Sequence, residues 1–389
     1  MYRIGVKEID AVKLLLENKK IWRYEKESET NKLERELEAK LGSKNVLAVS
    51  SGTGALIAAL AALEIGPGDE VIIPAYTFIA TAYAVLAVGA VPIIANVDAS
   101  LTMDPNDIEN RINTRTKAII PVHINGLPCQ MERIMQIAEK NNLRVIEDAC
   151  QAMGGSYKGT MLGNIGDVGA FSFNYFKIIG CGEGGALTTN DYKVYERARI
   201  YHDPGCGFFS PEQQVSVPYF AGVNMRISEI LSAVIRAQLQ QIDEILYGLR
   251  NTKQMMKDCL SNGCNVSFSP VNDIKGDCGV KLGLLFESAG RVEQILLRSK
   301  EVGIESILEC PFNTDKHVFM NWKAVLERRG ACTEMLNPYR NSSVTYDMDS
   351  YKSSLELLKR TLYIQINPNA SRDFVENESE KLARVLRAV

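Results

Sequence analysis

Residues 171–185 read FSFNYFKIIGCGEGG, and the fold turns on how this stretch is read. Gly180, Gly182 and Gly185 satisfy the G-x-G-x-x-G spacing of a dinucleotide fingerprint. That fingerprint needs a strand before it and a helix opening from it. Here the chain continues as GGALTTND, which reads as a strand and a turn. A nicotinamide site is therefore disfavoured, and the glycines are expected to let the chain pass close beneath a flat ligand. The same stretch holds a single lysine, Lys177, among apolar and small residues. One reading is a lysine whose stem lies on apolar surface while its tip reaches water. The other is a desolvated amine, which becomes nucleophilic and can form a Schiff base.

Working outward, strand-like and helix-like runs alternate from about residue 44 to 205. NVLAVS leads into the helical GALIAALAALEI, and KAIIPVHI leads into MERIMQIAEKNN and then LRVIEDA. DVGAFSF runs up to Lys177, and GGALTTND closes the series. This rhythm predicts an α/β fold of three layers, a mostly parallel sheet with helices on both faces. A long helical pattern, RISEILSAVIRAQLQQIDEILYGLRNTKQMMKDCL, then carries the chain into a more mixed region. The expected division is a large domain over 1–245, its first ~30 residues packing apart, and a smaller C-terminal α/β domain over 246–389.

Several function classes are disfavoured by composition. A formal charge of −3 provides no basic footprint, so nucleic acid is not an expected partner. Nine cysteines without a CxxC pair favour a reducing compartment, and His123, His202 and His317 form no metal-type cluster. Between Val71 and Val97 there are 27 uncharged positions, enough for a membrane span by length. Pro74, Gly89 and Pro92 interrupt that run, and EVIIP and AVPIIANVD read better as buried parallel strands around a short helix. The N-terminal MYRIGVKEIDAVKLLLENKK lacks the basic start and apolar core of a secretion signal. A cytoplasmic protein without a membrane partner is expected.

Parallel sheets bind ligands at the C-terminal ends of their strands, so the strand-end loops carry the chemistry. In VSSGTGAL, small residues and a helix start offer free N–H groups to a phosphate, with hydroxyls from Ser51 and Thr53 as further donors. An ordinary helix N-cap explains the same residues. In VIEDACQAMGG, Glu147 and Asp148 end an apolar strand, where a carboxylate needs donors or a cationic partner. Helix capping is one account, and a cationic ring nitrogen beside Asp148 is another. Together with Lys177 and the hydroxyl of Ser172, these loops match the needs of pyridoxal 5′-phosphate (PLP): phosphate donors, a carboxylate for the pyridine nitrogen and an amine for the aldehyde.

A longer series of motifs carries a family resemblance. SSGTGAL, GPGDEVIIPAYTFIATAYAVLAVGAVPIIANVD, TKAIIPVHINGLPCQM, VIEDACQA, GDVGAFSFNYFK, GEGGALTTND and VNMRISEILSAVIRAQL stand in order between about Glu36 and Leu239. The chain thus resembles the DegT/DnrJ/EryC1/StrS family of PLP-dependent sugar aminotransferases, with the fold type I architecture of aspartate aminotransferase. The resemblance implies that Lys177 bonds to the cofactor's aldehyde, that Asp148 pairs with the pyridine nitrogen and that Gln151 lies near the ring's phenolic oxygen. It places Gly52, Thr53 and Ser172 at the phosphate and Phe78 on the ring face. Asn224 matches an asparagine that reaches the phosphate of a neighbouring subunit, which implies a homodimer with shared active sites. Relatives with histidine in place of the lysine dehydrate their substrates, so Lys177 favours transamination. A cofactor-binding regulator is the weaker alternative, since no appended helix-turn-helix or basic arm is visible.

Two departures bear on the substrate. Met153 stands where many relatives have histidine, and LECPFNTDKHVFMNWKAVLERRGACTEML replaces a proline- and histidine-rich segment. The expected reaction moves an amino group from an amino acid, glutamate first among donors, to a keto or aldehyde group. The acceptor is a sugar or sugar-derived compound, either a nucleotide-linked keto-sugar or an acid like an 8-keto-octulosonate. Arg226, Arg340 and His202 are further candidates for substrate contact, with surface roles as the competing account.

Overall fold

The computed structural model describes residues 4–204, 215–331 and 337–389. Its strands in chain order are β1 (Asn45–Val49), β2 (Glu70–Pro74), β3 (Val91–Ala95), β4 (Thr116–Ile119), β5 (Arg144–Asp148), β6 (Ser156–Tyr157) and β7 (Thr160–Met161). They continue as β8 (Val168–Ser172), β9 (Gly185–Thr189), β10 (Ser267–Phe268), β11 (Lys281–Leu285), β12 (Leu308–Glu309) and β13 (Thr361–Gln365). The first helices are α1 (Val6–Glu17), α2 (Glu29–Leu41), α3 (Gly52–Ala62), α4 (Ala80–Ala87), α5 (Pro105–Arg111), α6 (Met131–Lys140) and α7 (Tyr192–His202). The later ones are α8 (Glu229–Leu239), α9 (Ile242–Gly263), α10 (Ala289–Glu301), α11 (Lys323–Leu326), α12 (Lys352–Lys359) and α13 (Arg372–Ala388).

Seven strands form one sheet in the order β1-β9-β8-β5-β4-β2-β3. All neighbours pair in parallel except β9, which runs antiparallel to both β1 and β8. Side chains alternate along each strand between two buried clusters. Val46 and Ala48 join one, while Leu47 and Val49 join the other. Both faces are thus covered, which is why these strands read as continuous apolar runs and why 71–97 mimicked a membrane segment. Among the described residues, no helix is long and apolar enough to cross a membrane.

The second sheet has the order β10-β11-β13-β12 and is antiparallel throughout. Its inward residues Leu282, Leu284, Leu362 and Ile364 belong to the same buried cluster as Val46 and Ile72 of the large sheet. One apolar core therefore runs from the large sheet, past α9, into the small one.

The long helical pattern is two helices, α8 and α9. At the break the Gln241 N–H donates to Gln238 O (3.0 Å), and the Gln241 side-chain amide donates to Ala237 O (3.2 Å), the carbonyl that a continuing helix would use. Glu8 of α1 also accepts from the side chains of Gln238 (2.6 Å) and Gln241 (3.2 Å), so the joint is where α1 packs on α8. The expected division at residue 245 falls in the first turn of α9.

Candidate active site

The site begins where β1 stops. Ser51 takes an extended conformation and its Oγ accepts from Gly54 N–H (3.0 Å), so its hydroxyl caps α3. The first-turn N–H groups of Gly52 and Thr53 have no acceptor among the described residues. A Cβ on Gly52 would lie 2.7 Å from Ser172 Cβ and 2.8 Å from Cys150 Sγ. Only glycine lets the start of α3 approach β8 so closely, and this puts Gly52 against Ser172 and Cys150. Gly185 serves the same closeness, because a Cβ there would meet the Ser51 carbonyl at 2.4 Å. The expected close passage is thus made against backbone, and β9 follows the glycines with no helix between.

Glu147 and Asp148, adjacent at the end of β5, have opposite surroundings. Glu147 is fully buried and accepts from the N–H groups of Gly163 (2.9 Å), Ile165 (2.6 Å) and Gly166 (2.7 Å). It also meets His123 Nε2 at 3.0 Å. The Cys129 N–H donates to His123 Nδ1 (3.1 Å), so the imidazole proton sits on Nε2 and is donated to Glu147. Asp148 is only 5% exposed and accepts two neutral hydrogen bonds, from Thr81 Oγ1 (2.8 Å) and Cys150 N–H (3.1 Å). No ion pair reaches it among the described residues. Thr77 and Thr81 hydroxyls lie 2.8 Å apart, extending the same chain of hydroxyls.

Lys177 lies in the connection between β8 and β9. That loop is closed by Phe173 N–H to Gly184 O (2.8 Å), Cys181 N–H to Phe173 O (2.9 Å) and Lys177 N–H to Asn174 O (3.1 Å). The lysine is half-buried, and its ammonium has no hydrogen-bond or ion-pair partner among the described residues. It lines a cleft of about 420 Å³ together with Ile178, Ile245, Leu249 and Val280. Phe78 and Gln151 line the same cleft. Gln151 Oε1 accepts from Asn125 N–H (2.9 Å), which leaves the Gln151 amide N–H₂ as its available donor. Cys150 lies in the fields of both Asp148 and Lys177, and burial pushes its thiol pKa well up.

The structure also brings in residues that the sequence did not single out. Asn125, Asn174, Lys281, His317 and Gln365 line the cleft. His317 arrives on a chain segment paired with the loop after β2: Thr77 N–H donates to His317 O (2.9 Å), Ile79 N–H to Lys316 O (2.9 Å) and Phe319 N–H to Ala75 O (3.1 Å). Its ring lies 5.4 Å from that of Phe78. Burial, with help from Lys281 and Lys177, lowers its pKa to about 4, so the imidazole is neutral at pH 7. This segment belongs to the stretch that departs from the family pattern, of which residues 332–336 lie outside the described residues. A signal for Asn125 was present in the Asn-Gly pair, since Asn125 adopts φ +53°. None was present for Lys281.

Gly52, Thr53, Asp148 and Ser172 do not themselves line the cleft, and four other sequence candidates also stand apart from it. Asn224 is exposed on the segment whose Met225 O accepts from Ser50 N–H (2.7 Å), beside the glycine-rich loop. Arg226 is ion-paired with the buried Asp203, which also accepts from Tyr24. His202 is buried, its Nδ1 donating to Arg199 O (2.7 Å), and burial lowers its pKa well below the ordinary value. Arg340 is exposed. Met153 packs in the core.

The donor set fits PLP on three counts. The start of α3 has unspent N–H groups beside Ser172, a buried carboxylate lacks a cation, and an unpaired lysine lines the cleft.

Comparisons with known proteins agree. The chain is 42% identical over 206 residues to a GDP-perosamine synthase of Caulobacter vibrioides, covering 53% of this chain and 54% of that protein. It is 34% identical over 272 residues to a 3-amino-5-hydroxybenzoate synthase of Amycolatopsis mediterranei, covering 68% of each. The first curated relatives are matched over about half their length. The crystal structure of a 3-amino-5-hydroxybenzoic acid synthase superposes with a TM-score of 0.82 at 25% identity, covering 100% of this chain and 98% of that one. The fold is that of the PLP aminotransferases of fold type I. A sequence profile of aminotransferases whose cofactor is PLP matches residues 3–305, and the chain belongs to that family, the DegT/DnrJ/EryC1/StrS aminotransferase family.

Proposed function

We propose that this protein is a PLP-dependent aminotransferase that moves an amino group from an amino acid, glutamate first, to a keto or aldehyde group of a sugar or sugar-derived acceptor. The observation that carries this reading is the gathering of three groups around Cys150: the start of α3 packs on its sulfur, its N–H donates to Asp148, and its thiol lies in the field of Lys177, which lines the cleft. Family membership and the sugar-modifying names among its relatives support the acceptor class. Bound here, PLP supplies an electron sink for the substrate carbon.

The chain's own residues do the rest. Lys177 would hold the cofactor, and its amine would move the proton to and from the reacting carbon. Asp148, steadied by Thr81 and the Cys150 N–H, keeps the pyridine nitrogen protonated. Gly52, Thr53 and Ser172 hold the phosphate, Gln151 donates to the phenolic oxygen and Phe78 covers the ring. Asn224, exposed beside the loop, reaches the phosphate of a second copy, so that two sites are shared in a homodimer.

The test is an absorption spectrum of the cofactor-loaded protein before and after L-glutamate, with 2-oxoglutarate release measured alongside. Loss of the visible band with stoichiometric 2-oxoglutarate is expected. A band that ignores glutamate and every other amino donor would overturn transamination while leaving cofactor binding intact.

A further inference from the structure

The roles above leave one wall of the cleft unused. Among the described residues, Lys177 and Lys281 are the lysines that line the cavity, and no aspartate or glutamate lines it. Asn125 is 7% exposed, and its Nδ2 has no acceptor at hydrogen-bond distance among the described residues, although the hydroxyls of Tyr76 and Tyr363 lie beside its side chain. A buried amide left without a partner is costly, so a ligand acceptor is the natural complement. The Asn125 backbone is fixed by the bond from its N–H to Gln151, which holds the side chain at the cleft. Lys281 is held from outside the cavity by an ion pair with Glu309, and its ammonium lies 5.3 Å from the centre of the Tyr363 ring. An ammonium has three donors, and one partner leaves others for the cleft.

We propose that Lys281 and Asn125 form a receptor for a carboxylate group of the substrate, in the same cleft as Lys177. The proposal rests on the aminotransferase reading and deepens it: one substrate is recognised by an acid group distinct from its reacting centre. Two oxygens of a carboxylate take one N–H from each residue, and the neutral His317 adds no competing charge. The donor amino acid and an acidic acceptor both offer this chemistry.

Calorimetric titration of the cofactor-loaded protein with glutarate, which has no amine to transfer, and with its neutral counterpart glutaramide tests the receptor. Wild type should bind glutarate at least about tenfold more tightly than glutaramide. Lys281→Met should abolish that preference and Lys281→Arg should keep most of it. Because the methionine variant leaves Glu309 unpaired, the double variant K281M/E309Q is measured with it, its fold checked by circular dichroism. Glu309→Gln alone should bind glutarate at least as tightly as wild type. A rise of about tenfold in the KM for L-glutamate in Lys281→Met, with kcat little changed, assigns the carboxylate to the donor. Weakened competition by D-glucuronate, with D-glucose as the neutral control, assigns it to the acceptor. Equal binding of glutarate and glutaramide by wild type, or an undiminished preference in the folded double variant, overturns the receptor. The aminotransferase reading fails separately, through the visible band at Lys177, which Lys281→Met leaves in place.

Discussion

The two walls of the cleft are built by different rules. One comes from loops that follow strands of the large sheet: Phe78 after β2, Gln151 after β5, and Asn174, Lys177 and Ile178 after β8. Each residue there lies in a loop that leaves a strand end, and Asp148 and the start of α3 lie behind it around Cys150. The other wall comes from Val280, Lys281, His317, Gln365 and Ile366. It is held by the antiparallel pairing of β11 with β13 and by the pairing of 315–319 with 75–79. The first wall holds Lys177, whose ammonium has no partner among the described residues, with Asp148 behind it and reached by no ion pair among them. In the second the charge is already balanced, Lys281 against Glu309. The difference supports the proposed division, reaction at the first wall and recognition at the second.

The largest effect should come from Lys177→Ala. Turnover with L-glutamate should fall by roughly a thousandfold or more, with cofactor retained only non-covalently, as borohydride reduction followed by mass spectrometry would reveal. Asp148→Asn should follow, lowering kcat by roughly a hundredfold while the visible band still forms. Its neighbour makes the sharper contrast. Glu147→Gln removes a buried carboxylate bonded to three N–H groups and His123, and should cost about 3 kcal/mol of stability, read from chemical denaturation. Should Glu147→Gln spare stability, or Asp148→Asn spare kcat, the division of labour between these neighbours is wrong.

His317 offers a pH test of the second wall. Its folded pKa of about 4 lies below the ordinary 6.5, so the unfolded chain takes up the proton first as pH falls. Its contribution to stability is therefore present above pH 6.5 and lost as pH drops towards about 4. Against His317→Gln, wild type should lose about 2 kcal/mol more across that window, measured by denaturant titration at each pH. The smallest effect belongs to Ser51→Ala. Loss of the α3 cap should cost about 1 kcal/mol with little change in cofactor affinity. A large loss of affinity instead would make Ser51 a phosphate ligand as well as a cap.

The α/β order, the buried strands and the strand-end residues Gly52, Asp148, Gln151, Ser172 and Lys177 were all legible in the amino-acid sequence. Local pattern determines these features: apolar runs make strands, glycine permits close passage, and a side chain at a strand end is positioned by the ladder behind it. The distinct fates of Glu147 and Asp148 were not legible, because they depend on which distant N–H groups, those of 163–166 or of Cys150, each carboxylate meets. The break between α8 and α9 was hidden for a related reason, since the apolar period continues through it while a glutamine amide takes a helix carbonyl. Asn125, Lys281 and His317 come together only when segments about 150 residues or more apart in the chain are paired across the core. Nothing in their local spacing encodes that meeting. Sequence alone determined which groups can do the chemistry; tertiary packing decided which of them face the same space, because burial and charge act through distance in the fold and not along the chain.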